Sequence, residues 1–395
     1  MDDKAIIKSI LDTDLYKFST GYAYAKLFPR ARGRFAFVDR DDTVYPEGFA
    51  DRVRAEIDRM TSLRLTTEEA DFLTRECGYL PPFYIDYLKG YRYDPREVTV
   101  SQDSEGHLHI TAEGYLYRIT FWETPILAIV SELYYNETSQ EADLDYVRQV
   151  TIEKARIMKE HALQVSMFGM RRRFSAEVED TVTALLKAHA GTSLYGTSNV
   201  YYAMKHGIRV TGTHPHEWVQ FHAAVYGYKM ANYMAMEDWI NVYDGDLGTV
   251  LTDTYTTDVF MRNFSKKHAM LFTSMRHDSG DPFAFADKAI ARYRELKINP
   301  MFKYLVFSDS LTIPKAVEIK KYCEDKIPAT FGVGTNLTND VGNHTIPRNI
   351  VMKLIGCQIS PTQKWHHCVK LSDVEGKHIG HPDEIELAQK TLGII

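Results

Sequence analysis

Two histidines flank a proline in residues 212–218, which read Gly-Thr-His-Pro-His-Glu-Trp. Pro215 favours an extended backbone at His214 and suits the first turn of a helix that begins near Glu217. Such a helix would place His216 at its N-terminus, where backbone N–H groups favour a phosphate. A phosphohistidine and an ordinary hydrogen-bonded histidine explain His216 equally well, whereas a zinc site would need further ligands that this segment lacks.

A polar segment at residues 276–282, Arg-His-Asp-Ser-Gly-Asp-Pro, follows an apolar run at residues 269–273 and precedes a predicted helix from Phe283. A carboxylate and a hydroxyl at such a junction can bind sugar hydroxyls, and the helix N-terminus favours a phosphate. The same residue types also cap helices, and Pro282 is typical of a first helical turn. By itself, the segment leaves ligand binding and helix capping open.

Polar residues or glycines occur at the ends of the next two apolar runs, at residues 304–307 and 329–333. They are Ser308, Asp309, Gly332, Gly334 and Thr335. Glycines let a backbone approach a phosphate closely, although tight turns need glycine for reasons of their own. Three such junctions on consecutive runs predict a phosphorylated sugar as the ligand.

An aromatic ring and three cations follow another short apolar run, in residues 168–174 (Phe-Gly-Met-Arg-Arg-Arg-Phe). Phe168 could stack on a flat heterocycle, and Arg171 could pair with a phosphate or carboxylate. The alternative for Arg172 and Arg173 is simple solvation. The basic run is too short to indicate a nucleic-acid partner.

The composition sets limits on the class of protein. The chain has 395 residues, 44% of them hydrophobic, and a formal net charge of −6. These values are typical of a globular protein and give no overall attraction to nucleic acid or an anionic membrane. The four cysteines form no Cys-x-x-Cys pair, and neither a leader nor a long apolar stretch is evident. We therefore predict a reduced, cytoplasmic protein.

The elements that must position these residues change character along the chain. Before residue 125, alternating apolar residues predict strands at 33–38, 97–100 and 107–121, with a turn at Glu113 and Gly114. Helical spacing occupies residues 51–60 and 67–75. This part is predicted to be an α+β domain, residues 1–124 completed by 355–395, with a largely antiparallel sheet.

From residue 125 onwards, short apolar runs alternate with helices. The helices are predicted at residues 146–162, 283–296 and 314–325. The runs are predicted at residues 165–168, 208–210, 249–251, 269–273, 304–307, 329–333 and 350–354. Such alternation favours parallel strands with crossover helices, here an irregular (β/α)-barrel-like domain over residues 125–354. Functional residues of a barrel gather at the carboxyl ends of its strands.

Taken in order, these segments resemble the nicotinate phosphoribosyltransferase family from about residue 10 to beyond residue 373. Besides those above, the matching pieces are Thr-Asp-Leu-Tyr at 13–16, Trp-Glu-Thr-Pro at 122–125, Gly-Thr-Ser-Asn at 196–199, Thr-Asp-Thr-Tyr at 252–255 and Lys-Leu-Ser-Asp at 370–373. The resemblance implies transfer of phosphoribose from phosphoribosyl pyrophosphate to nicotinate. It also implies Mg²⁺, ATP hydrolysis coupled through a phosphohistidine, an irregular barrel and a homodimer with shared active sites.

Roles for individual residues follow from the resemblance. The histidine followed by Glu-Trp, His216, would carry the phosphate, with His214 as a rival. Asp278 would bind the ribose hydroxyls, and Arg276 would bind an anionic group of a substrate. Asp253 would orient His216 or bind Mg²⁺. The ring-binding residues would be Tyr16, Phe168, Arg171, Thr197 and Ser198. The 5′-phosphate would be bound by Ser308, Asp309, Gly332, Gly334 and Thr335.

The choice of substrate depends on Ser198. Related enzymes that use nicotinamide have an aspartate there, which would repel a carboxylate, whereas a serine hydroxyl could donate to one. Nicotinate is therefore favoured over nicotinamide, and over quinolinate because a dicarboxylate would need more cations. From other classes, a barrel hydrolase using Glu123 and Asp309, or a nucleotide sensor without turnover, stays open.

Overall fold

The computed structural model describes residues 5–374 and 378–395. The strands are β1 (Arg32–Asp39), β2 (Val98–Gln102), β3 (Leu108–Tyr115), β4 (Val165–Met167), β5 (Leu194–Thr197), β6 (Thr249–Leu251), β7 (Ser274–His277), β8 (Tyr304–Phe307), β9 (Ala329–Val333), β10 (Ile350–Gln358) and β11 (His366–His367).

The helices of the first half are α1 (Leu15–Leu27), α2 (Phe49–Arg59), α3 (Thr67–Glu76), α4 (Pro82–Gly90), α5 (Leu116–Ile119), α6 (Glu123–Glu137), α7 (Leu144–Glu160) and α8 (Ala176–His189). The helices of the second half are α9 (Val200–His206), α10 (His216–Tyr226), α11 (Tyr228–Tyr243), α12 (Thr257–Asn263), α13 (Lys266–Leu271), α14 (Pro282–Glu295), α15 (Ile313–Cys323), α16 (Thr335–Thr338) and α17 (Pro382–Leu392).

Strands β4 to β9 belong to a barrel-like sheet whose pairings β4–β5, β6–β7, β7–β8 and β8–β9 are parallel. Strands β1, β2, β3, β10 and β11 belong to a separate sheet, in which β2–β3 and β10–β11 pair antiparallel. Helices α14 and α15 connect the parallel strands β7, β8 and β9, as crossover connections require. The predicted α/β class with a barrel-like sheet and a second, antiparallel sheet is therefore confirmed.

The chain forms two compact units. The first contains residues 1–22, 34–212 and 333–353, and the second contains residues 23–33, 213–332 and 354–395. The predicted division near residue 124 remains a prediction.

In the first unit, helix α6 is buried along most of its length, including its own Tyr135, and it follows the fully buried Trp122. The same unit buries an ionic cluster around Arg173, whose side chain is 0% exposed. Its Nη1 atom lies 3.0 Å from both Asp12 Oδ1 and Glu179 Oε2, and its Nε lies 3.8 Å from Glu132 Oε2. The interpretation of Arg173 as a solvated cation is therefore wrong.

In the second unit, helices α10 and α11 pack through large aromatic side chains. The rings of Trp218 and Trp239 lie 5.6 Å apart, and Trp218 Nε1 donates to the Ala235 carbonyl at 2.9 Å. Both tryptophans are at most 1% exposed. Because Trp218 is only two residues after His216, this packing fixes the first turn of α10.

Three predicted strands are wrong. Residues 116–121 are helical because Leu116 and Ile119, three residues apart, are both fully buried, which is helical rather than alternating spacing. The strand predicted at 269–273 begins instead at Ser274, since residues up to Leu271 form α13, which a capping box at Ser265 starts. Residues 208–210 contribute only an isolated bridge between Val210 and Thr197.

The run at residues 350–354 is a strand, but it belongs to β10 of the antiparallel sheet rather than to the barrel. Its burial alternates between buried and half-buried side chains, as expected of a strand with one covered face. Among the described residues, no helix is long and apolar enough to cross a lipid bilayer.

Candidate active site

His216 is the first residue of α10 in the second unit, next to the carboxylates that follow strands β6 and β7. Its Nε2 atom lies 2.8 Å from Oδ1 of Asp253 and 3.8 Å from Oδ2 of Asp278. Parallel strands end at the same edge of a sheet, which is why Asp253 and Asp278 converge. The histidine side chain is 13% exposed, so it is accessible from one side.

Pro215 determines how the chain enters α10. It is the N-cap residue, with φ −90° and ψ 166°, and its carbonyl accepts from the Trp218 N–H at 3.2 Å. This extended entry and the buried Trp218 leave His216 at the helix N-terminus, as the sequence predicts. The position favours a phosphate on the histidine electrostatically.

Asp253 is bound through both of its carboxylate oxygens. Besides the His216 contact of Oδ1, Oδ2 accepts from Ser279 Oγ at 2.8 Å and lies 3.0 Å from Lys370 Nζ. Burial alone would raise the pKa of Asp253, but Lys370, His216 and Ser279 outweigh it and hold its pKa well below the ordinary value. Asp253 is therefore ionised at neutral pH.

The imidazole of His216 is neutral at pH 7. Burial and the nearby Lys370 lower its pKa to about 4, despite the opposing effect of Asp253 and Asp278. An ionised Asp253 can only accept, so the proton of the neutral ring belongs on Nε2. The lone pair is then on Nδ1.

Asp278 is embedded in a network with Arg276 and Ser308. Its Oδ1 accepts from Arg276 Nη2 at 2.8 Å and from Ser308 Oγ at 2.7 Å. Arg276 also donates to Ser308 and, through Nη1, to Thr213 Oγ1 at 2.7 Å. Burial opposes ionisation, but Arg276 outweighs it and lowers the pKa of Asp278 to about 2. The second carboxylate oxygen faces the His216 side, where a sugar hydroxyl could donate to it.

The geometry separates the two candidate histidines. His214 is 2% exposed, its ring packs 5.3 Å from that of Trp239, and its Nε2 accepts from the Leu251 N–H at 3.2 Å. Burial lowers the pKa of His214 to about 3. A buried ring whose lone pair is already used does not fit the role of a phosphate acceptor, so the geometry favours His216.

The site residues of the first unit surround the ends of β4 and β5. Phe168 follows β4, and its N–H donates to the Val333 carbonyl at 2.8 Å. A Cβ on Gly334 would lie 3.3 Å from the Phe168 carbonyl oxygen, and one on Gly169 would lie 2.1 Å from Thr338 Oγ1. A side chain at Gly169 would therefore clash with the Thr338 side chain, whereas one at Gly334 would press tightly against the Phe168 backbone.

Ser198 has partners within the first unit. Its Oγ lies 2.6 Å from Asp14 Oδ1 and 3.2 Å from the Met167 carbonyl oxygen. Arg171 is near the same cluster, with Nε 3.8 Å from Asp14 Oδ2 and Nη1 3.7 Å from Glu123 Oε1. Burial raises the pKa of Asp14 against the opposing effect of Arg171 and Ser198. Glu123 forms a buried ion pair with Lys17, which leaves it poorly suited to act as a hydrolase carboxylate.

The remaining predicted residues have the following positions. Thr197 ends β5, Gly332 lies in β9, Thr335 begins α16, and Asp309 accepts from the hydroxyl of Ser310 at 3.0 Å. Tyr16 is in the second position of α1, with the ammonium group of Lys17 4.7 Å from its ring centre. Their roles remain predictions.

The sequence-based prediction includes five site residues that the structure brings together in the second unit. They are His216, Asp253, Arg276, Asp278 and Ser308. It misses three residues. Lys370 and Ser279 contact the carboxylate of Asp253, and Asp14 contacts the hydroxyl of Ser198. All three lie in segments that carry the resemblance, but no local pattern of the sequence indicates their partners.

A barrel-like parallel sheet with a histidine, two ionised aspartates and an arginine at its carboxyl edge is typical of an α/β enzyme that acts on anionic substrates. Comparisons with known proteins narrow the class. The model of the nicotinate phosphoribosyltransferase (NAPRTase) family matches residues 163–392, and that of its N-terminal domain matches residues 11–131. The chain belongs to the nicotinate phosphoribosyltransferase family.

Relatives resemble the chain over its whole length. The nicotinate phosphoribosyltransferase of Chromohalobacter salexigens is 44% identical over 98% of this chain and 99% of its own length. The crystal structure of nicotinate phosphoribosyltransferase from Porphyromonas gingivalis is 66% identical, with a TM-score of 0.97 over 98% of this chain and 100% of that one. The structure from Vibrio cholerae is 30% identical, with a TM-score of 0.92 over 99% of this chain and 94% of that one.

Proposed function

We propose that this chain transfers the phosphoribosyl group of phosphoribosyl pyrophosphate to nicotinate, and that ATP hydrolysis is coupled to the transfer through a phosphohistidine at His216. The observation that carries the coupling is the neutral imidazole at the start of α10, bound through Nε2 to an ionised Asp253. The relatives' activity and the network around Asp278 support the transfer itself.

In the transfer, the pyridine nitrogen of nicotinate attacks C1 of the ribose. The C1–oxygen bond to pyrophosphate breaks, and its electron pair leaves with the pyrophosphate. Positive charge therefore develops on the sugar, and negative charge develops on the leaving group. Asp278 accepts hydrogen bonds from the ribose hydroxyls and stabilises the cationic sugar, while Arg276 pairs with an anionic group.

In the coupled step, Nδ1 of His216 attacks the γ-phosphorus of ATP. The bond from that phosphorus to the bridging oxygen breaks, and its electron pair leaves with ADP. The Nε2 proton stays in its hydrogen bond to Asp253, which offsets the charge that the ring gains in the phosphorylation step. Water later attacks the phosphorus, and the bond from that phosphorus to Nδ1 breaks with its electron pair returning to the nitrogen. The phosphate that leaves retains the protons of the water, and the ring is neutral again.

The residues present fit the Mg²⁺ that the resemblance implies. His216, Asp253 and Asp278 bring a ligand atom each to within 4.8 Å of one another, and carboxylate oxygens suit a hard cation. Lys370 and Arg276 already contact the two carboxylates, so Mg²⁺ would be held chiefly by substrate phosphates, with Asp253 and Asp278 nearby. When bound, the ion would neutralise the charge of the pyrophosphate.

The first unit would supply the nicotinate pocket. Phe168 and Tyr16 stack on the pyridine ring, and Arg171 pairs with the nicotinate carboxylate. Ser198 and Thr197 complete this pocket. The residues that bind the 5′-phosphate are Ser308, Asp309, Gly332, Gly334 and Thr335. A cytoplasmic homodimer with shared active sites belongs to the same proposal, and light scattering of the purified protein tests the dimer.

One assay tests the proposed reaction. The purified chain is incubated with nicotinate, phosphoribosyl pyrophosphate and Mg²⁺, with and without ATP, and nicotinate mononucleotide and ADP are quantified. We expect mononucleotide under both conditions, and more of it with ATP. Replacing nicotinate by nicotinamide or quinolinate should abolish most of the product. Absence of mononucleotide with and without ATP would refute the proposal.

A further inference from the structure

Residues 370–373 form a segment, termed the strap, that lies against the loops behind His216 in the second unit. Its backbone is tied to Ile379 by an antiparallel bridge, with N–H to carbonyl distances of 2.9 and 2.8 Å. The Leu371 N–H donates to the Thr254 carbonyl at 2.9 Å. The strap is therefore fixed to the residue that follows Asp253.

The far end of the strap is fixed as well. The carboxylate of Asp373 accepts from the Thr257 N–H at 2.7 Å and from its hydroxyl at 2.5 Å. The Asp373 N–H donates to Ser279 Oγ at 3.2 Å, and the same hydroxyl donates to Asp253. Asp373 also packs closely against Gly280, because a Cβ at Gly280 would lie 3.3 Å from Asp373 Cβ.

This geometry delivers one side chain, Lys370, to the carboxylate behind His216. Its Nζ lies 3.0 Å from Oδ2 of Asp253, and the two side chains are 10% and 1% exposed. The opposite oxygen, Oδ1, is the one that contacts His216 Nε2 at 2.8 Å. The histidine and the lysine thus hold the two ends of the same carboxylate.

We infer that Lys370 is a positioning residue that prepares His216 to accept a phosphoryl group. The inference rests on the proposed coupling through His216. Lys370 prevents rotation of the Asp253 carboxylate, so that Oδ1 stays on Nε2 and the lone pair stays on Nδ1.

A purely structural role for Lys370 predicts a different result. A lysine that only anchors the strap would alter stability, and its loss would leave the rate constant of phosphorylation per folded molecule unchanged. A lysine that contacts ATP directly would mainly change the KM for ATP. A positioning residue changes the rate constant at saturating ATP and is replaced in part by another cation.

The test compares wild type with Lys370→Met, Lys370→Arg and the control Lys267→Met, which removes an exposed ion pair to Glu237 in the same unit. Phosphoenzyme formation is followed by rapid quench with γ-labelled ATP, as acid-labile protein-bound phosphate, over a range of ATP concentrations. Thermal unfolding by circular dichroism verifies folding, and Lys370→Gln replaces the methionine variant if that one is unfolded.

We expect Lys370→Met to lower the rate constant at saturating ATP by at least about tenfold, with the KM for ATP within about threefold of wild type. Lys370→Arg should recover most of the loss, and Lys267→Met should match wild type. A wild-type rate constant in folded Lys370→Met, a change confined to KM, or no recovery with arginine would each overturn the role of Lys370. No phosphoenzyme in wild type would overturn the proposed coupling itself, and this inference with it.

Discussion

Each compact unit buries a cluster of charged side chains, and the two clusters differ in balance and exposure. In the first unit, one cation, Arg173, faces three carboxyl groups, and every side chain is at most 14% exposed. In the second unit, Asp253 and Asp278 have Lys370 and Arg276 as partners, and Asp278 is 21% exposed. The first cluster is deficient in positive charge and closed, whereas the second is balanced and open.

The pKa values follow this difference. Burial raises the pKa of Glu132 to about 7 and that of Glu179 to about 7, because Arg173 cannot compensate for all its neighbours. In the second unit the cations outweigh burial, so the pKa values of Asp253 and Asp278 are lowered instead. We therefore attribute a structural role to the closed cluster of the first unit. We attribute a chemical role to the cluster of the second unit, where the buried carboxylates are paired with cations beside an accessible histidine.

Removing the central cation of the first cluster should have the largest effect on stability. Arg173→Met leaves buried carboxyl groups without their partner, and we expect a loss of about 3–5 kcal/mol in the free energy of unfolding. Urea unfolding followed by circular dichroism measures it. The control Arg156→Met removes exposed ion pairs and should change the free energy of unfolding far less. If the two variants were equally stable, the buried cluster around Arg173 would contribute no more to stability than exposed ion pairs do.

Removing a carboxylate of the second cluster should instead affect catalysis. Asp278→Asn keeps the shape of the side chain but loses the negative charge opposite the ribose, so kcat/KM for mononucleotide formation should fall by about 10²–10³-fold. Unfolding free energy should change far less than in Arg173→Met. The exposed Asp287→Asn serves as the control. Activity within a few-fold of wild type would exclude Asp278 from the reaction.

Loss of His216 should uncouple the two reactions. His216→Ala should lose nicotinate-stimulated ATP hydrolysis and the ATP-dependent gain in substrate affinity, a gain of about 5–150-fold for typical couplings. A slower ATP-independent transfer should persist, measured as mononucleotide formed without ATP. His206→Ala, a half-buried histidine paired with Asp180 in the first unit, is the control. Nicotinate-stimulated ATPase activity in His216→Ala would show that the phosphate acceptor lies elsewhere.

The smallest expected effect is a pH dependence of stability in the first cluster. The pKa of Glu132 is about 7 in the fold, above the ordinary 4.5, so its stabilising protonated form is present at low pH and is lost as pH rises through 7. Glu132→Gln mimics that form and can still accept from the Ala176 N–H. Relative to wild type, it should gain about 2 kcal/mol in unfolding free energy between pH 5.5 and pH 8.

Urea titrations at pH 5.5 and pH 8 measure that change, with Glu177→Gln, at an exposed glutamate, as the control. A Glu132→Gln effect that is the same at both pH values would mean that Arg173 keeps Glu132 ionised. The first cluster would then be balanced in charge like the second, and the two clusters would no longer differ in this respect.

Most of the parallel strands could be predicted because their apolar runs are short, buried and bounded by polar residues, as at Tyr304–Phe307. The prediction fails where helical and strand patterns are equally apolar. Residues 116–121 form helical turns whose buried positions do not alternate. The run at 350–354 alternates but pairs with β1 rather than with the barrel. Pairing partners are set by contacts far apart in sequence, which local periodicity does not contain.

By itself, the sequence determined the family, the α/β class and the candidate residues His216, Asp253, Arg276 and Asp278, because ordered motifs and strand-end residues are local features. Only the tertiary structure favours His216 over His214 as the proposed phosphate acceptor, since that preference depends on which ring is buried and which nitrogen is used. It alone shows that Lys370 contacts Asp253 and that Asp14 contacts Ser198. The residues of the first pair are 117 positions apart in the sequence, and those of the second pair are 184 positions apart. Contacts between residues so far apart in sequence arise from packing, which no local pattern records.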